Sequence, residues 1–204
     1  MIQAAPDRQA LARRGKRLEY FTIAWNILEG LVAVLAGAIA GSISLVGFGV
    51  DSFIEVASAC AVLWRMSVGD DATERTEKIA LAIVGICFLA LAAGVAFEAI
   101  TDLVRMRTPE RSVAGIILAF ASLIAMPLLA RAKRRVAVAL GSPAMIADAK
   151  QTQFCFYLSA ILLAGLLLNA VWELWWADPI AALLMTPIIA KEGVAGLRGD
   201  RCCH

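Results

Sequence analysis

The chain has 204 residues, of which 61% are hydrophobic, with a mean hydropathy of +0.78 and a formal net charge of +2. Such hydropathy lies outside the range of ordinary soluble domains, and so small a net charge gives no reason to invoke nucleic acid as a partner. No nucleotide-binding loop, haem motif or nucleophile-with-base constellation occurs, so the chain reads as neither an enzyme nor a cofactor carrier.

In chain order, residues 1–19 form a basic segment without the apolar core or cleavage site of a signal peptide. Six apolar stretches follow, at 20–40, 43–64, 79–104, 113–131, 144–171 and 179–197. Each reaches or approaches the roughly 20 residues that span a bilayer as a helix. The spacing therefore predicts an all-α membrane protein, a bundle of six transmembrane helices. Residues 20–197 form its membrane domain, and 198–204 form a short tail. Helix 1 carries Asn26 and Glu29, three residues apart. The run Gly41–Trp64, GSISLVGFGVDSFIEVASACAVLW, has Asp51 and Glu55 as its only ionisable side chains apart from Cys60. Asp71-Ala-Thr-Glu74 has the form of a capping box ahead of helix 3. Near the other end of that helix, Arg105 follows Asp102 at helical spacing, which predicts an interfacial ion pair. Pro127 and Pro187 fall inside helices 4 and 6. Ser142-Pro143 and Asp178-Pro179 read as N-caps with proline in the first turn of helices 5 and 6. Trp172, Trp175 and Trp176 suit an outer membrane interface.

Basic residues set the orientation. Arg8, Arg13, Arg14, Lys16 and Arg17 precede helix 1, and Arg65, Arg75 and Lys78 separate helices 2 and 3. Arg131, Lys133, Arg134 and Arg135 follow helix 4, and Lys191, Arg198 and Arg201 close the chain. With six spans these all share one side, against Arg105, Arg107 and Arg111 on the other. That asymmetry puts both termini in the cytoplasm and the basic clusters against anionic lipid heads.

The polar residues inside the spans carry the functional signal. A carboxylate in hydrocarbon costs at least about 2.5–3.5 kcal/mol, so it faces a cavity, a partner or an ion. Asp51 and Glu55 lie four residues apart, about 6 Å along one face of a helix. Two like charges there repel unless a cation or a proton lies between them. Counted from the cytoplasmic ends, Glu55 falls near the depth of Gln151 on helix 5, and Asp51 near Cys155. Packing helices 2 and 5 together would gather two carboxylates, an amide oxygen and a thiol, a donor set suited to a borderline ion such as Zn²⁺. Iron, cobalt, cadmium and manganese remain alternatives. Plainer readings stand beside this one. Cys155 also reads as a small packing residue, Gln151 as an interhelical hydrogen-bonding group, and Lys150 as a structural partner for the two carboxylates. Asn26, Glu29 and Asp148 are candidates for a polar path. Cys202, Cys203 and His204 form a candidate metal-binding tail or a segment without a role. Cys60 and Cys87 read as packing residues.

At these residues the chain resembles the transmembrane domain of the cation diffusion facilitators. The likeness lies in Ser44-Leu-Val-Gly-Phe-Gly-Val-Asp-Ser-Phe-Ile-Glu55 on helix 2, in Ser142-Pro-Ala-Met-Ile-Ala-Asp-Ala-Lys-Gln151 opening helix 5, and in Trp176-Ala-Asp-Pro-Ile-Ala-Ala182 opening helix 6. The resemblance implies a dimeric exporter of divalent metals driven by proton exchange. Its midplane site would combine two acidic residues of helix 2 with a His-x-x-x-Asp pair of helix 5. Asp51 and Glu55 match the first pair, while Gln151 and Cys155 stand at the second. The family's cytoplasmic domain after helix 6 has no counterpart here, so dimerisation is expected to rest on membrane helices or a partner. The expected protein is a multi-pass secondary transporter, in a bacterial inner (plasma) membrane, exporting a divalent cation, zinc first, as substrate. The alternative from another class is a non-transporting membrane metal sensor or scaffold acting through its tail.

Overall fold

A computed structural model describes residues 8–68, 74–107 and 110–198. Six helices follow one another: α1 Arg8–Ala40, α2 Ile43–Val68, α3 Glu74–Arg105, α4 Val113–Leu140, α5 Pro143–Trp172 and α6 Ala177–Arg198. Among the described residues, Arg8–Ala40, Ile43–Ser67, Val113–Leu140 and Asp148–Trp172 are long and apolar enough to cross a membrane. The protein is an all-α membrane bundle.

The sidedness of α1 shows why these sequences pack in a bilayer. Its buried face holds Gly15, Glu19, Thr22, Asn26, Glu29, Gly30, Ala33, Gly37 and Ala40. Leu28, Leu31, Leu35 and Ile39 point outward, and Ile39 is 80% exposed. Lipid is as apolar as leucine, so small and polar residues turn inward, where backbones approach closely and hydroxyls find partners. At Gly49 an added Cβ would lie 2.9 Å from the backbone nitrogen of Val34, and at Gly37 only 2.8 Å from that of Val46. These glycines set the close approach of α1 and α2.

Two tight connections have the same design. Gly41 (φ 66°) ends α1 and Gly141 (φ 63°) ends α4, both left-handed, where glycine is unstrained. In each, the following serine donates its backbone N–H four residues back from the glycine, Ser42 to Gly37 O at 2.9 Å and Ser142 to Ala137 O at 3.0 Å. Asp51 and Gln151 each lie ten residues beyond their glycine, and Glu55 and Cys155 fourteen. The two halves of the candidate site thus occupy corresponding positions on corresponding hairpins.

Packing pairs α1 with α2, α3 with α6, and α4 with α5, while α2 touches α3, α5 and α6 as well. The main apolar core, including Leu45, Phe48, Phe88, Leu162, Met185 and Ile189, surrounds α2 and α5.

Several expectations change here. Ser142 caps α5, accepting from Met145 N at 3.4 Å with proline in the first turn, as its sequence indicates. Asp178 does not cap its own helix. α6 starts at Ala177, and the buried Asp178 carboxylate reaches across to α2, accepting from Ser42 Oγ at 2.5 Å, Ser44 Oγ, and Ser44 N at 3.4 Å. It thereby supplies the negative end that an α2 N-terminus favours. Asp102 pairs with Arg107 at 3.5 Å in place of the expected Arg105, because Met106 (φ 51°) turns the chain back over the helix end. α4 continues to Leu140, so Arg131, Lys133, Arg134 and Arg135 belong to the helix. Lys133 is fully buried and does not meet lipid heads. Cys60 is exposed and is not a packing residue. Asp71 of the capping box and the tail residues Cys202, Cys203 and His204 lie outside the described residues, as does the side chain of Cys87.

Candidate cation site

Asp51 and Glu55 both face the bundle interior, Asp51 4% exposed and Glu55 0%. Facing them, α5 presents a polar stripe of Asp148, Thr152, Cys155 and Ser159, spaced four, three and four residues so that all share one helix face. Cys155 Sγ lies 2.8 Å from Glu55 Oε2 and 3.4 Å from Asp51 Oδ2. The thiol is therefore the point where the two carboxylates of α2 meet α5. Thr152 Oγ donates to Glu55 Oε1 at 2.6 Å. Sequence reasoning passed over Thr152, since a threonine in a membrane helix ordinarily bonds its own backbone. This one also lies 3.2 Å from the carbonyl of Asp148.

Gln151 sits beside this stripe. With Asp51 and Glu192 it lines a cavity of about 10 Å³, room for one water, among Phe88, Phe154 and Ile188. Its Nε2 is buried without a hydrogen-bond partner. Glu192 of α6, also unremarked in the sequence, brings a third carboxylate to the edge of the site, within electrostatic reach of Asp51, Lys150 and Lys191. Asp51 and Glu55 make their described contacts with Cys155 and Thr152.

The flanking candidates belong to two further clusters. Glu29 is 1% exposed and accepts from Ser52 Oγ at 3.0 Å and from Ser122 Oγ, linking α1, α2 and α4. Asn26 donates to Thr22 O at 3.0 Å and leaves its buried Oδ1 without a partner. Asp148 pairs with Lys133 and accepts from Ser58 Oγ at 3.0 Å. It is thus tied into the bundle and does not cap backbone.

Among the described residues, no group of three or more His, Cys, Asp and Glu side chains is placed so that it could hold a metal ion. Asp51, Glu55 and Cys155 are held at hydrogen-bonding distance of one another, the thiol donating toward the two carboxylates. Chemically, the cluster holds oxygen and sulfur donors that become negative on losing protons, in a setting away from water.

The chain is similar to curated proteins along most of its length. It is 26% identical over 192 residues to transmembrane protein 163 of Xenopus laevis, covering 92% of this chain and 68% of that protein. It is 24% identical over 178 residues to an uncharacterized transporter of Methanocaldococcus jannaschii, covering 83% of this chain and 62% of that protein. A further uncharacterized transporter, from Synechocystis, is 25% identical over 158 residues, and the chain spans half of its length. Residues 20–198 match the cation efflux transmembrane domain, the stretch that contains the Asp51–Glu55–Cys155 cluster, and the chain belongs to that family.

Proposed function

We propose that the chain exports a divalent transition-metal cation from the cytoplasm in exchange for protons, with zinc as the leading substrate. Asp51, Glu55 and Cys155 are the ligands and Gln151 stands at their side. The observation that carries this reading is the meeting of Cys155 Sγ with both Glu55 Oε2 and Asp51 Oδ2 inside the bundle. A soft thiolate between two hard carboxylates suits zinc or cadmium better than magnesium or calcium.

The chemistry of exchange follows from the donor set. Cation and protons compete for the same oxygens and sulfur, so loading the cation releases protons and reloading protons expels the cation. Alternating exposure would come from rocking of one part of the bundle against another around the fixed site. The corresponding α1–α2 and α4–α5 hairpins are the natural rigid units. A homodimer formed through membrane helices is part of the same proposal.

The test is transport by purified protein in vesicles, with an ion panel outside, a metal-sensitive dye inside and internal pH recorded. Cation flux with opposed proton flux is expected, and loss of both in Asp51→Ala/Glu55→Ala. Undiminished flux in that double variant would remove the site from the mechanism.

A further inference from the structure

Lys133 lies on α4 between the exposed Arg131 and Arg134, yet its side chain is 0% exposed. An ammonium at that position persists only with partners for its charge and for its three N–H donors. Three partners are present, on two helices besides its own. Glu19 Oε2 of α1 is 2.9 Å from Nζ, Asp148 of α5 forms a short ion pair, and Thr152 Oγ of α5 is 3.3 Å away. Glu19 is itself 0% exposed, and neither of its carboxylate oxygens has a hydrogen-bond partner, so its tie to Lys133 is an ion pair.

The contact with Thr152 is the informative one. A hydroxyl has a single proton. Accepting from Lys133 occupies a lone pair of Thr152 Oγ and directs its proton toward an acceptor. Two acceptors are in reach, Glu55 Oε1 at 2.6 Å and Asp148 O at 3.2 Å, and the shorter contact is to Glu55. A chain of donors therefore runs from Lys133 Nζ through Thr152 Oγ to Glu55 Oε1. The other oxygen of the same carboxylate, Oε2, faces Cys155.

We propose that Lys133, anchored by Glu19 and Asp148, is a positioning residue for the cation site. Through Thr152 it fixes the rotation of the Glu55 carboxylate, engaging Oε1 and leaving Oε2 to the cation with Asp51 and Cys155. This rests on the reading that those three residues bind the transported cation. It adds to that reading a buried support, contributed by α1, α4 and α5, that no cation touches. Bonds in such a chain polarise one another, so removing any link loosens the carboxylate at its end.

The experiment measures equilibrium Zn²⁺ and Cd²⁺ affinity of the purified full chain in lipid nanodiscs, with thermal unfolding alongside. Thr152→Val keeps the side-chain shape and the Glu19–Lys133–Asp148 cluster while deleting the relay hydroxyl. It is expected to weaken both ions about tenfold, and Thr152→Ser to restore wild-type affinity at unchanged melting temperature. Lys133→Met is expected to give a loss like that of Thr152→Val, and the double variant no more than either alone, since both break one chain. Wild-type affinity in Thr152→Val overturns the proposal, as do losses that multiply in the double variant. If Lys133→Met does not fold, the Thr152→Val and Thr152→Ser pair decides alone. Failure of the underlying reading looks different: Asp51→Ala/Glu55→Ala then binds like the wild type, or the wild type shows no saturable binding, and both readings fall together.

Discussion

Cys155 Sγ lies 2.8 Å from Glu55 Oε2, closer than to any atom of Asp51 among its described contacts. The thiol of α5 thus belongs first to the second carboxylate of α2. Glu55 and Cys155, each fourteen residues beyond the glycine of its hairpin, meet there, and the sulfur is the only soft donor among the described residues of the site.

That placement makes Cys155 a selectivity element. Cys155→Ser exchanges sulfur for oxygen with little change in volume. Affinity for cadmium and zinc is expected to fall about tenfold more than affinity for manganese, a difference of about 1.4 kcal/mol. Competition binding against a metal-sensitive dye reads it directly. Equal losses for the three ions would mean that the thiol packs the α2–α5 contact and does not coordinate.

Proton competition sets the pH dependence of binding. The cation needs Asp51, Glu55 and Cys155 without their protons, so apparent affinity rises as pH rises and falls on acidification. Between mildly acidic and mildly alkaline pH the dependence is expected to be clear in the wild type and flatter in Glu55→Gln, which has no carboxyl proton to exchange at that position. Titration of the purified protein across that range checks it; a constant affinity would exclude these groups as the coupling element.

Glu29 is expected to matter for stability more than for ion choice. Its two oxygens accept from Ser52 and Ser122 in the interior of the bundle. Glu29→Ala leaves both hydroxyls without that acceptor and should cost about 1–3 kcal/mol, with Glu29→Gln milder because one acceptor oxygen survives. Thermal unfolding in detergent supplies the measurement, and identical curves for the two variants would contradict it.

The α1–α2 contact offers a test with an internal control. A Cβ at Gly49 would meet Val34 Cγ2 at 2.8 Å and the Val34 backbone nitrogen at 2.9 Å, so the helices must separate. Gly49→Ala should destabilise by about 1–3 kcal/mol. At Gly94 nothing lies within 4 Å, and Gly94→Ala should be neutral or slightly stabilising through helix propensity. Equal effects at the two positions would show that α1 and α2 tolerate separation.

Much of the architecture was legible because the signals are local. Apolar length marks a helix, and the Ser142-Pro143 cap acts within one turn of itself. The pair Asp51 and Glu55 was equally readable, since four-residue spacing in a helix puts two side chains on one face whatever surrounds them. Cys155 was reachable by counting depth from the helix ends, because an α-helix rises by a constant step.

What counting could not supply is rotation. Depth matches Gln151 to Glu55, but the rotation of α5 about its axis turns Thr152 toward Glu55 and sends Gln151 to the neighbouring cavity. Side-chain destinations across helices were also out of reach. Asp178 reads as the cap of its own helix and instead serves α2, and Lys133 reads as an interfacial cation and instead lies between Glu19 and Asp148. The sequence by itself determined the membrane helices, their order and the two carboxylates on α2, all consequences of spacing along one chain. The tertiary structure alone decided which hydroxyl, thiol and ammonium meet those carboxylates, because each such contact depends on how separate helices rotate and pack.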